Sequence, residues 1–391
     1  MRIILLQDEI YLPSLGGGTK ANRFLLEEFA RGGHQCLALT RALTRSPDGP
    51  NNRQEFSNEM ASRNKAAELL ESNVFAYEHE DVQVEALDWP GAEEACDYLD
   101  RRIRAFKPDW ILVADDKRRV MLEIAIHTAA ERTVLLVQTI MQLPFGPLSV
   151  QHNAEQTGLM ERARAIVVIS SYLQEYVDKH SGLKSRLLRL PVYGPGPFAK
   201  LGRFDVGYVT MINPCELKGI AIFLALAQQF PDIEFAAVPT WGADNKVLGE
   251  LQEQPNIRLL APADDIEHVL AQTRVLLVPS LWPETFGYVV PEAMLRGIPV
   301  LASNVGVLPE AKLGVDYLLP VAPAERQGDA YVYPPQDTEC WSDALRELLS
   351  DAVTYGRCSE ASRQAAMDFL PKTSASLFET FLGGLEVSDD Q

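Results

Sequence analysis

The sequence is short of cysteine, of positive charge and of long apolar runs. Five cysteines (Cys36, Cys96, Cys215, Cys340, Cys358) are scattered over 391 residues with no C-x-x-C pair. An odd, dispersed set builds neither a disulfide framework nor a thiolate zinc site. Lysine and arginine together number 36 against 54 aspartates and glutamates, a formal net charge of −18. That balance argues against general nucleic-acid binding, which needs a basic surface to displace counterions from phosphates. It supports solubility instead. An anionic ligand then needs a local cation or a helix N-terminus. No apolar run approaches the roughly 18 residues of a membrane span. The opening Met1-Arg2-Ile3-Ile4-Leu5-Leu6 lacks the apolar core and cleavage site of a secretory leader. It reads as a first strand, and the cytosol is the expected compartment, with the membrane periphery as a secondary one. No Asp-x-Asp with a following metal pattern stands out, so neither a metal nor a bound cofactor is expected.

What is present is alternation. The length suits two domains of roughly 150–200 residues each. Short apolar strands at Ile3–Leu6, Gln35–Leu39, Val82–Leu87, Asp109–Val113, Thr133–Val137, Ala165–Ile169 and Arg186–Leu190 alternate with helical stretches. Among the helices are Ala92–Phe106, Val120–Ala130 and Tyr172–His180, the last capped by Ser170-Ser171. Pro191-Val192-Tyr193-Gly194-Pro195-Gly196-Pro197 is the most linker-like segment. A second series follows, with strands at Asp205–Val209, Glu234–Val238, Asn256–Leu260 and Val275–Val278 and a helix from Lys218 to Gln229. Two such series predict two doubly wound α/β domains facing each other across a cleft. Thr40–Asp81 is polar with a helical pattern over Glu59–Leu70, and reads as an insertion or lid. Gly16-Gly17-Gly18 between the first strand and first helix makes an anion-binding shape or simply a tight turn. It is not a G-x-G-x-x-G dinucleotide loop.

Val275–Glu310 carries the densest chemistry. Val275–Val278 is a strand, Pro279 and Pro283 mark a loop, a helix spans Val289–Arg296, and Gly297 with Pro299 stops it before the next strand at Ile298–Ala302. Glu284 and Glu292 bracket the loop-to-helix turn, where α/β folds bind ligands. The stretch resembles the signature of retaining glycosyltransferases of family 4, which have the GT-B fold. Its parts are Pro279-Ser280, Glu284-Thr285-Phe286-Gly287, Glu292-Ala293-Met294, Gly297-Ile298-Pro299-Val300 and Gly306-Val307-Leu308-Pro309-Glu310. Elsewhere Gly16–Gly18, Arg31-Gly32-Gly33-His34, Pro108-Asp109, Ile169-Ser170 and Lys218-Gly219 fall where that family has similar residues.

The resemblance implies a transfer of sugar from a nucleoside diphosphate donor to an acceptor hydroxyl, retaining and metal-independent. It implies an acceptor-binding domain over 1–193, rejoined by a crossover helix in 374–391, and a donor-binding domain over 198–373. Glu284 would hold the donor sugar beside the main-chain N–H groups of Phe286 and Gly287, Glu292 the ribose diol, and Lys218 the diphosphate. Gly17 would allow close backbone approach to phosphates or acceptor. Two departures stand out. The family's usual arginine ahead of the Lys-Gly pair is missing, so Asn213 with backbone amides, or Arg118 or Arg119, would take its place. Gln138 stands where a histidine is common, and a glutamine positions a hydroxyl but is no base at neutral pH. The histidines His34, His127 and His152 are expected to be structural. The donor base (UDP, GDP, ADP or TDP) and the acceptor, whether small molecule, glycan or lipid-linked sugar, are open. Rival readings are a nucleotide-sugar epimerase, a phosphorylase, or a sugar-nucleotide-binding protein that has lost catalysis.

Overall fold

The computed structural model describes residues 1–14, 16–42, 52–71, 73–88, 92–114, 120–194, 196–327 and 330–385. The chain divides into two compact units, Met1–Gly194 with Thr373–Gln391, and Pro195–Lys372.

The first unit is built on a nine-stranded sheet among the described residues. Its central strand Arg2–Ile10 pairs in parallel with Gln35–Arg41 on one side and Trp110–Ala114 on the other. Thr133–Val137, Ala165–Val168 and Arg186–Leu187 continue the parallel series. Ile3, Ile4, Leu6, Leu37, Leu39, Val113 and Val134 are fully buried, as continuous apolar strands must be when helices cover both faces. The helix expected over Glu59–Leu70 is present only as far as Ser62. A helix at Asn52–Ser62 stops where Asn64 takes a left-handed φ of 55°, and Lys65 N donates back to Met60 O at 2.9 Å. Glu68–Glu71 and Val74–His79 then form antiparallel strands that extend the sheet edge. Val74, Phe75 and Tyr77 favour a pleated surface. Phe75 and Tyr77 pack on Phe56 of the helix, with ring centroids 5.1 and 6.3 Å apart. Residues 43–51 of the expected insertion lie outside the described residues.

The helix Ala375–Gly384 belongs to this unit and packs on Gly17–Arg31, with Phe378 edge-on to Phe29 at 6.0 Å. His34 ties Met1 to the helix Ala375–Gly384. Its Nδ1 lies 3.0 Å from the Met1 ammonium, which only donates, so Nε2 carries the ring proton and donates to Glu379 at 2.9 Å. His152 Nε2 bonds to Gly146 O at 2.8 Å.

Among the described residues the second unit has a six-stranded, wholly parallel sheet in the order Ile257–Leu259, Phe235–Val238, Tyr208–Ile212, Thr273–Val278, Val300–Ser303, Leu318–Leu319. The strand expected at Asp205–Val209 begins later, at Tyr208. Gly207 turns the chain there with φ 114°, and a Cβ on it would stand 2.8 Å from Gln272 O. Sequence reading missed the helix Asn245–Glu253, although its cap is legible: Asp244 Oδ1 accepts from Val247 N at 2.8 Å. It also missed a hairpin, Glu325–Gln327 with Ala330–Val332, whose Tyr331 meets Trp282 at 5.0 Å.

Candidate functional site

In the second unit, loops at the carboxyl ends of neighbouring strands are pinned to one another by backbone contacts. The chain leaves strand Tyr208–Ile212 through a 3-10 turn, Glu216–Lys218, and the helix starts at Ile220, not at Lys218. Gly219 makes this possible with φ 80°. A Cβ on Gly219 would lie 2.0 Å from Pro279 O, so only glycine lets the two loops meet. Leu217 O accepts from Leu281 N at 2.9 Å and Trp282 N at 3.2 Å. On the far side, Gly306 (φ 57°) lies so close to the Pro283–Glu284 backbone that a Cβ would fall 2.6 Å from Glu284 N. Val307 N donates to Glu284 O at 3.0 Å.

This framework brings Lys218, Ser280 and Glu284 together. Lys218 Nζ and Ser280 Oγ both donate to Glu284 Oε1. The ammonium keeps two further donors and the carboxylate keeps Oε2. Both side chains are mostly buried, with 22% and 13% exposure for Lys218 and Glu284, so their charges retain access to a ligand while partly shielded from water. Ser280 itself is buried and was not singled out from the sequence as a site residue. Ser303 Oγ holds Ser280 from behind by donating to its carbonyl at 2.6 Å.

Glu292 lies in the first turn of helix Val289–Leu295, buried, where the helix N-terminus favours a carboxylate. The Phe286 side chain is core, packed on Tyr288 at 4.4 Å and Phe369 at 6.4 Å. Gly287 next to it has φ 70°. Asn213 ends its strand in a left-handed conformation (φ 58°), and its Oδ1 accepts from Gly242 N at 2.9 Å. That leaves the Asn213 amide nitrogen as its donor. Cys215 packs beneath Gly242, and burial pushes its thiol above the usual range.

In the first unit, Gly17 is the exposed first residue of helix Gly17–Arg31. The turn before it is closed by Thr19, whose Oγ1 accepts from Gly16 N at 3.1 Å and donates to Gly16 O at 2.8 Å. Gln138 follows strand Thr133–Val137 and is buried. Its Nε2 donates to Asn22 Oδ1 at 2.7 Å, and Asn22 Nδ2 donates to Gln7 Oε1 at 2.8 Å. Gln7 Nε2 points at Ile10 O at 3.5 Å. A pocket opens beside Gln138, between strand Thr133–Val137 and helices Met121–Ala129 and Ala154–Arg162. Arg118 and Arg119 lie outside the described residues.

A second buried polar cluster lies in the same unit, and no motif announced it. Glu27 Oε1 stands 3.5 Å from Arg23 Nε and 3.4 Å from His79 Nε2, and the Tyr11 ring sits 6.5 Å from His79. Burial raises the Glu27 carboxyl to about 7 against the pull of Arg23. Burial, with Arg23 and Lys65 nearby, lowers His79 to about 4. The only hint in the sequence is the i, i+4 spacing of Arg23 and Glu27.

Over nearly its whole length the chain folds like sucrose-phosphate synthase of Thermosynechococcus elongatus (TM-score 0.68, 18% identity, 98% of this chain and 99% of that one). It also folds like Anabaena HepE, solved in complex with UDP and glucose (TM-score 0.65, 17% identity, 98% and 100%). The fold is therefore GT-B, that of a large class of glycosyltransferases. Residues 203–351 match the model of the family of glycosyl transferases group 1. The chain is 28% identical over 250 residues to the D-inositol 3-phosphate glycosyltransferase of Mycobacteroides abscessus (57% of this chain, 53% of that protein). It is 31% identical over 102 residues to the sulfoquinovosyl transferase SQD2 of Arabidopsis thaliana (26% and 18%). The chain thus spans about half the length of the first of these relatives. No helix among the described residues is long and apolar enough to cross a membrane.

Proposed function

We propose that the protein is a retaining glycosyltransferase of family 4, moving a sugar from a nucleoside diphosphate to an acceptor hydroxyl without a metal. The observation that carries this is the Lys218–Glu284–Ser280 cluster, held by Gly219 and Gly306 inside the segment that matches the family. The reaction breaks the bond between the anomeric carbon and the diphosphate oxygen. Negative charge grows on the departing diphosphate, and positive charge grows on the sugar ring, as at other glycosidic centres. Lys218 meets the first with its two remaining N–H donors, joined by the Asn213 amide and backbone N–H groups. Glu284 accepts from donor sugar hydroxyls through Oε2. Its Oε1 holds Lys218 in place, so one carboxylate sets both the sugar and the cation. Glu292 accepts from the ribose diol, each charge-assisted bond contributing about 1.5–3 kcal/mol. No side chain is assigned as a covalent nucleophile. The acceptor attacks from the face the diphosphate leaves, and a phosphate oxygen takes its proton. The first unit, 1–194 with 373–391, receives the acceptor.

The test is a panel of UDP-, GDP-, ADP- and TDP-sugars offered with candidate alcohols, with the product read by proton NMR. The account expects one donor to give a glycoside of unchanged anomeric configuration, with full activity in chelator. An inverted product would defeat the retaining assignment. Release of a free sugar epimer would defeat transfer in favour of the epimerase.

A further inference from the structure

The amides of Gln7, Asn22 and Gln138 form a relay whose direction is set at one end. Ile10 O can only accept, so Gln7 turns its NH2 toward it and its Oε1 toward Asn22. Asn22 must then give its NH2 to Gln7 and its Oδ1 to Gln138. Gln138 in turn must give its NH2 to Asn22, which leaves its Oε1 as the end of the chain. That oxygen is buried and has no hydrogen-bond partner among the described residues, in a residue only 5% exposed. A buried acceptor without a partner is costly, and native proteins rarely keep one without a use.

Gln138 lines the pocket beside strand Thr133–Val137. The other walls are apolar: Leu122, Leu135, Val137, Leu143 and Met160. The remaining polar lining is neutral, from Thr139, Gln142 and Gln156, and no charged side chain lines the pocket among the described residues. Among the described residues these walls offer no cation to meet a phosphate and no anion to meet an amine. Among the buried side-chain atoms of the described lining, the one without a partner is an acceptor that the relay prevents from becoming a donor.

We propose that this pocket binds a neutral, largely apolar group of the acceptor molecule and takes a hydrogen bond from its hydroxyl at Gln138 Oε1. The word acceptor rests on the transfer reading above; the binding chemistry does not. The relay acts as a selector. It locks the amide so that a hydroxyl is matched, whereas an ether or a ketone meets a second lone pair.

Three probes test this on the full chain by titration calorimetry: benzyl alcohol, benzyl methyl ether and benzyl phosphate. The alcohol is expected to bind at least about tenfold more tightly than the ether, the size of one well-made hydrogen bond to a buried group. Gln138→Met removes the acceptor oxygen and should abolish that preference. Because this change also removes the bond that Gln138 donates to Asn22, Gln142→Trp serves as an independent variant: it fills the pocket from its half-buried rim, leaves the relay intact, and should weaken alcohol and ether alike. Equal binding of alcohol and ether to the unaltered protein overturns the proposal. So does a preference that survives Gln138→Met, or tighter binding of the phosphate. A nucleoside diphosphate melting shift is measured in parallel. If the pocket discriminates but no nucleotide binds, the transfer reading falls and the acceptor role falls with it, while the hydroxyl-reading pocket stands.

Discussion

The two units hold their candidate sites by different means. In the second unit the site is held by backbone. Gly219 lets the Lys218 turn touch Pro279, Gly306 lets the next loop touch Glu284, and main-chain bonds from Leu281, Trp282 and Val307 lock the three loops. In the first unit the site is held by side chains, a relay of three amides from Gln7, Asn22 and Gln138. The difference teaches where tolerance lies. A backbone cradle demands glycine at particular places and leaves the positions between them free. A side-chain relay demands amides at positions far apart in the chain and places no constraint on the local backbone.

The comparison can be broken in several places, and the largest effect should come from the cradle's charge. Lys218→Met removes the cation and leaves Glu284 with Ser280 alone. Transfer rate should fall about 10²–10³-fold, the usual loss when a group that meets developing charge is deleted. Steady-state kinetics with the active donor reads this out, and a fall of less than tenfold would remove Lys218 from the chemistry.

Gly306→Ala tests the cradle as geometry. The left-handed φ and the 2.6 Å approach to Glu284 N leave no room for a Cβ, so the loops must part by a cost of about 1–3 kcal/mol. Nucleotide affinity should drop by about tenfold, with a lowered melting temperature. An alanine that changes neither would mean that the loops are not locked as described. Asn22→Leu makes the matching test of the relay in the first unit. It leaves Gln7 and Gln138 each short of a partner and should cost about 1–3 kcal/mol in denaturant unfolding. Nucleotide affinity should hold, since the donor site draws on the other unit.

The smallest effect concerns Glu27 and reads as a pH slope. The folded unit holds the Glu27 proton up to about pH 7, against a reference of 4.5. Between those values the folded state binds more protons than the unfolded one, so stability falls as pH rises. His79 works the other way: lowered to about 4 from 6.5, it makes stability rise with pH between those values. The two slopes oppose each other until His79 is spent, and above its unfolded value only the Glu27 loss remains. Glu27→Gln should therefore gain on the unaltered protein by on the order of 1–3 kcal/mol between about pH 5 and about pH 8. Parallel pH curves for the two proteins in urea unfolding would contradict this.

The sequence made the second unit more readable than the first for the same physical reason. Gly219, Gly297 and Gly306 are visible as letters, and each marks a left-handed turn that the structure contains. Strand and helix periodicity placed Val82–Leu87, Thr133–Val137 and Ala92–Phe106 at their observed ends. The edge strands Glu68–Glu71 and Val74–His79 were misread because Glu-Leu-Leu-Glu shows no alternation of period two and is exposed throughout. The amide relay was invisible because its members, separated by 15 and 116 positions, meet only once the sheet forms. Gln138 was noticed as a departure from a pattern. Its partner Asn22 had no local signal at all.

The measurement that bears most directly on the account is the melting temperature of the unaltered protein and of Glu292→Ala with UDP, GDP, ADP and TDP. One of these should raise the melting temperature of the unaltered protein, since a ligand that binds only the folded state stabilises it by mass action. In Glu292→Ala that shift should vanish or need about 10- to 100-fold more nucleotide, the weight of charge-assisted bonds to the ribose. An equal shift in both proteins would contradict the assignment of Glu292, and no shift with any of the four would contradict the donor site itself.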